Sequence, residues 1–178
     1  VSWTVLIAIS FTLFLGQFLA QAFAIAHGVP VGLTSVIVQS QALFTIGLAA
    51  LLFRERPGTW QTVGIGVATA GLLMICGTVG YDFSISAFAI LMISPLSFAA
   101  GNLLLRRAQG VPMFDLFAWL CLVAAVPLLA LTLVSTGTLP TWHALTHMSL
   151  TGPICMIGLG GISTSVTYWL WGRLLRDY

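Results

Sequence analysis

Apolar residues run along this chain in unbroken blocks, too long for strands and without the alternation of a half-buried sheet. Breaks made of Gly, Pro, His or charge divide it into six segments: Trp3 to Ala26, Gly32 to Phe53, Trp60 to Gly80, Ile85 to Leu105, Phe114 to Ser135 and Leu150 to Gly172. Each is long enough to cross a hydrocarbon layer, which takes roughly 20 residues as a helix. Helix is required there because lipid offers backbone groups no partner outside the segment. The turns are His27 to Pro30, Arg54 to Thr59, Tyr81 with Asp82, Arg106 to Pro112, and a longer loop from Thr136 to Ser149. The pattern predicts an all-α integral membrane protein, a polytopic helical bundle of six transmembrane helices.

Composition agrees. Only 6% of the 178 residues are charged and 59% are hydrophobic, against the quarter or so of charged residues in soluble domains. With a mean hydropathy of +1.08 no water-facing surface can be built, so the main partner is the lipid bilayer. Six spans leave no room for a soluble domain. A net charge of +2 without a basic tail gives no nucleic-acid footprint. Cys76, Cys121 and Cys155 are scattered through apolar runs without ligand spacing, which predicts no metal site. Position 1 is Val and a span begins almost at once without a basic leader, so the chain is expected to be a piece of something longer.

All six basic residues are arginines, and they come in pairs: Arg54 and Arg56, Arg106 and Arg107, Arg173 and Arg176. The pairs fall at the second, fourth and sixth boundaries, whereas the first, third and fifth have none. An alternating hairpin of helices therefore puts every arginine on one side of the membrane, and the positive-inside bias makes that side cytoplasmic, with both ends of this chain there. Placing one such residue at the bilayer centre would cost roughly 2.5 to 3.5 kcal/mol, so the pairs also fix where helices stop. His27, His143 and His147 fall on the opposite side.

No Asp, Glu, Lys or Arg is expected near the middle of a span, which argues against a relay of buried carboxylates. Uncharged polar groups do enter: Gln17 and Gln21 one turn apart in the first span, Gln39, Ser40 and Gln41 in the second, Ser94, Ser97 and Asn102 in the fourth, and Ser163 to Tyr168 in the sixth. Amides in hydrocarbon need partners, so they face other helices or a wet cavity. Interhelical bonding satisfies them as well as a solute would. Gln39 and Gln41 point to different sides, so one at most faces a cavity. Tyr168 and Trp171 share a helix face. Pro95 and Pro127 each remove a backbone donor inside a span and are expected to kink it. Gly64, Gly66, Ala68, Ala70 and Gly71 have the spacing of a close helix-packing face.

The stretch LFRERPGTWQTVGIGVATAGLLMI, residues 52 to 75, resembles the junction of the fourth and fifth helices in EamA-type carriers of the drug/metabolite transporter superfamily. Glu55 and Arg56 match that family's Gly-Glu-Arg corner, and Arg54 stands in place of its glycine. GVPVGLTSVIVQSQALFTI, residues 28 to 46, SFAAGNLLLRR, residues 97 to 107, and YWLWGRLLRDY, residues 168 to 178, resemble the O-acetylserine/cysteine exporter branch.

The resemblance implies ten helices in two inverted five-helix repeats, of which this chain holds helices three to eight, with residues 1 to 81 closing the first repeat and residues 82 to 178 opening the second. It implies a secondary transporter of the cytoplasmic (inner) membrane, without cofactors, exporting amino acids or related small metabolites by alternating access. Gln17, Gln39 or Gln41, Asn102, Tyr168 and Trp171 would line the solute site. Two other readings are an intramembrane enzyme and a channel or helical interaction module. The enzyme lacks a nucleophile with a base at one depth, since Ser163 has no histidine in its plane.

Overall fold

A computed structural model describes residues 2–54, 57–78, 84–108, 110–164, 166–167 and 170. Glu55, Arg56, Tyr81, Asp82, Tyr168, Trp171, Arg173 and Arg176 lie outside the described residues, as does the side chain of Arg107.

Among the described residues every regular element is helical. The helices are α1 (Trp3–Ala26), α2 (Val31–Phe53), α3 (Thr59–Thr78), α4 (Ile85–Leu105), α5 (Met113–Thr136), α6 (Thr138–Thr146) and α7 (Thr151–Ser163). Of these α1, α2, α4 and α5 are long and apolar enough to cross a membrane by themselves, and α6 with α7 makes a fifth candidate as a broken span. The described apolar stretch of α3, Thr59–Ile75, is shorter. Large apolar side chains stand on the outside, with Leu51 74% and Val134 84% exposed, which only a lipid environment tolerates. The chain divides into two compact units, Ser2–Gln109 and one from Gly110 onward. That division follows packing and is separate from the repeat boundary expected at residues 81 and 82.

In the first unit α4 is central, a third of its span being buried against 17% for α2. It runs antiparallel to α1: Gly101 sits against Leu13 and Thr12, Gly16 against Ser97, and Gln21 against Ser94. It runs parallel to α2, since Leu33 and Ile37 share a core with Ala87 and Leu91, while Phe53 lies beside Arg106. The turn between α1 and α2 explains that core. Gly28 adopts φ +89°, so the Val29 amide donates back to the Ala24 carbonyl at 3.0 Å and the Gly28 amide to that of Ile25 at 3.1 Å. This left-handed cap brings Val29 onto Ala24, where Leu33, Ile37, Ala87 and Leu91 close over them.

The glycines pack differently from the expectation. Cβ atoms built at Gly64, Gly66 and Gly71 of α3 meet nothing, so no described helix approaches that face. The close approach is at Gly101, where a Cβ would lie 2.6 Å from Leu13 Cγ, and at Gly16, where it would run into Ser97 Oγ.

The prolines also separate. A turn at Met92 interrupts α4, three residues before buried Pro95, whose missing N–H leaves the Leu91 carbonyl without its helical donor. By contrast α5 passes through Pro127 as one uninterrupted helix of 24 residues. In the second unit the expected loop from Thr136 to Ser149 contains α6, which meets α7 at 91°. Pro140 is the third residue of α6, within the first turn, where a helix has no use for the N–H that proline lacks.

Candidate functional site

The three spans that pack together in the first unit are each irregular near mid-length. In α1 a π-helical stretch, Phe11–Gly16, widens the helix just before Gln17. In α2 the helix stops at Gln39 and restarts at Gln41, with Ser40 between them at φ −64°, ψ −7°. The Ser40 hydroxyl donates to the Ile37 carbonyl at 2.6 Å, competing with the backbone ladder as serine does inside helices. In α4 the interruption is the turn at Met92. Such breaks free backbone groups, and in a membrane they persist only where protein or water meets them.

Polar side chains gather where these spans pack. Gln21 Nε2 donates to Ser94 Oγ at 3.0 Å, joining α1 to α4. The Ser97 hydroxyl donates to the Thr12 carbonyl at 2.8 Å, so α4 also holds the π-helical stretch. Thr12 turns its own hydroxyl back to the Ala8 and Ile9 carbonyls, at 2.8 and 3.1 Å. Ser10, Ser40 and Ser94 are buried.

Two of the expected solute ligands separate clearly. Gln39 is exposed, whereas Gln41 points inward and its Oε1 is buried without a hydrogen-bond partner. Of the two, Gln41 is the one turned into the packed spans. Gln17 and Asn102 are half-buried on α1 and α4. Gln17, Gln41 and Asn102 thus share three mutually packed spans without bonding to one another. Gln21, Ser94 and Ser97 join this belt more firmly than any of them. Antiparallel spans put the middle of the first opposite the middle of the fourth, a signal that could have paired them from sequence.

The belt carries no formal charge. Asn and Gln amides, hydroxyls and loosened carbonyls both donate and accept, which suits a small zwitterionic or neutral solute and offers no acid or base for catalysis. Among the described residues no group of three or more His, Cys, Asp or Glu could hold a metal ion. His143 and His147 stack at 3.9 Å on exposed α6, and His147 Nδ1 lies 3.2 Å from the His143 carbonyl.

No family model matches the chain, and no solved structure matches it. It is similar to a protein named "Probable amino-acid metabolite efflux pump" from Salmonella typhimurium (strain LT2), 29% identical over 181 residues that take in 98% of this chain. A protein of the same name from Escherichia coli (strain K12) is 29% identical over 179 residues and 97% of the chain. The chain spans about 60% of the length of these two relatives. Their names point to a transporter rather than an enzyme, and to a multi-pass membrane protein.

Proposed function

We propose that the chain belongs to a secondary transporter of the inner membrane that exports amino acids or related small metabolites by alternating access, with the solute held at mid-depth between α1, α2 and α4. The observation that carries this reading is the buried Gln41 Oε1, an acceptor without a donor, set beside the break at Ser40. A buried amide oxygen left unpaired costs about 1 to 3 kcal/mol, and a solute ammonium or amide N–H would supply the missing donor. Gln17 and Asn102 lie on the two spans that pack against α2. The relatives' printed name supports the solute class.

In the finer reading the protein is an EamA-type carrier of the drug/metabolite superfamily, the six spans being helices three to eight of ten, and the arginine-bearing end is cytoplasmic. The repeats are supported by one correspondence. The third and eighth helices should match under an inverted repeat, and α1 and α7 both contain a π-helical stretch, Phe11–Gly16 and Met156–Ser163. The Thr164 hydroxyl reaches the Leu159 carbonyl, five residues back, as a widened turn requires.

The test is amino-acid efflux from cells expressing the whole transporter with Gln41→Leu or Gln39→Leu. Leucine at 41 is expected to leave the protein folded and lower efflux about tenfold, the equivalent of one hydrogen bond, while leucine at 39 changes little. Normal efflux with Gln41→Leu would remove the site from this belt.

A further inference from the structure

We infer that His143 and His147 form a surface chelate for a divalent transition-metal ion, of the zinc or copper kind, at the end of α6. The two residues stand one helical turn apart, and both are exposed. His147 closes α6 at φ −107°, ψ 20°, and its amide still donates to the His143 carbonyl at 3.0 Å, so the last turn carries both side chains on one face. Their rings stack with centroids 3.9 Å apart and planes 9° from parallel. Paired histidines at this spacing are a recurrent way for one helix to hold a metal.

Nε2 is the ring nitrogen remote from Cβ, so two rings stacked on one helix face turn that edge outward together. Metal–imidazole bonds of about 2.0 to 2.1 Å place two such nitrogens roughly 3 to 3.5 Å apart, a small tilt away from the stacked spacing. His147 already holds the tautomer a ligand needs. Its Nδ1 lies 3.0 Å from Thr146 Oγ1 and 3.2 Å from the His143 carbonyl. The Thr146 hydroxyl gives its own proton to the Trp142 carbonyl at 3.0 Å or the His143 carbonyl at 3.2 Å, which leaves its oxygen to accept. Nδ1 of the neutral ring therefore carries the hydrogen and Nε2 the free lone pair, the arrangement by which a carbonyl orients a metal-bound imidazole. Among the described residues none hydrogen-bonds a ring nitrogen of His143. Imidazole suits Zn²⁺ and Cu²⁺, whereas Mg²⁺ and Ca²⁺ take oxygen. Two protein ligands completed by water make an open surface site, with fewer ligands than a structural or catalytic zinc centre has. A bound ion would pin the residue that ends α6 to the turn before it, just ahead of the 91° corner into α7.

The test is isothermal titration of the purified protein in detergent with Zn²⁺. His143→Ala and His147→Ala should each weaken binding about a hundredfold, the advantage that two linked contacts hold over one. The double variant should lose no more than either single one, because a chelate fails when one arm goes. Alanine favours helix, so α6 survives these changes, and size-exclusion chromatography checks the fold. His27→Ala, at a lone histidine stacked on Phe23 in the first unit, should bind as the wild type does. Unchanged affinity in either single variant, additive losses in the double variant, an equal loss with His27→Ala, or displacement by millimolar Mg²⁺ would overturn the site. None of these readouts depends on efflux.

Discussion

The guanidinium carbon of Arg106 lies 5.0 Å from the centre of the Phe53 ring, so the last residue of α2 and the first after α4 meet at one end of the bundle. Arg54 follows Phe53 directly. The second and fourth boundaries therefore emerge together, as the alternation of arginine pairs requires. At the other end Ala24 and Val29 of the first boundary share a core with Ala87, near the start of α4.

A membrane-impermeant maleimide should thus label Arg54→Cys and Arg106→Cys from the same side of the membrane and Gly28→Cys from the other. Opposite labelling of the first two would break the threading of the whole unit.

Arg54 closes α2 at φ +54°, the single non-glycine residue with positive φ among those described. A left-handed conformation costs an L-residue with a Cβ roughly 1 to 2 kcal/mol, which glycine escapes. Arg54→Gly is therefore expected to be more stable than Arg54→Ala by about 1 kcal/mol in denaturant titration, although glycine is the worse residue inside helices. The opposite order would mean that the cap is not left-handed.

Gly101→Ala should destabilise the protein by about 1 to 3 kcal/mol, because its methyl would press on Leu13 Cγ at 2.6 Å and Thr12 Oγ1 at 2.9 Å. Gly47→Ala, where a Cβ meets nothing, should be neutral or stabilising by up to about 1 kcal/mol. Thermal unfolding in detergent, read by size-exclusion chromatography, separates the two.

A double-mutant cycle on Gln21→Ala and Ser94→Ala should give a coupling of about 0.6 kcal/mol, the usual worth of a hydrogen bond between membrane helices. Additive losses would mean that the 3.0 Å contact contributes nothing to stability.

The spans were legible because lipid leaves a chain few choices. The apolar blocks from Trp3 to Ala26 and from Ile85 to Leu105 are observed with those same bounds, the second span begins one residue earlier, and the fifth is one residue longer at each end. What lay beyond the sequence is set by contacts between distant residues. Nothing in FTLFLG, residues 11 to 16, breaks a helix, and the π-helical turn there is held by Ser97, 85 residues away. The choice between Gln39 and Gln41 was closed to periodicity as well, because the break at Ser40 resets the phase of the helix between them. Pro95 and Pro127 look alike as letters, yet only α4 is interrupted. Glycine spacing in α3 misled for a related reason, since small residues permit a close neighbour without supplying one.

Under the alternating access proposed above, the protein has to part along some surface. Between α1 and α4 there is no slack at Gly16 or Gly101 for even one methyl group, so sliding these helices past each other would drive side chain into backbone. The pair behaves as one strut, and any gate must open along its flanks.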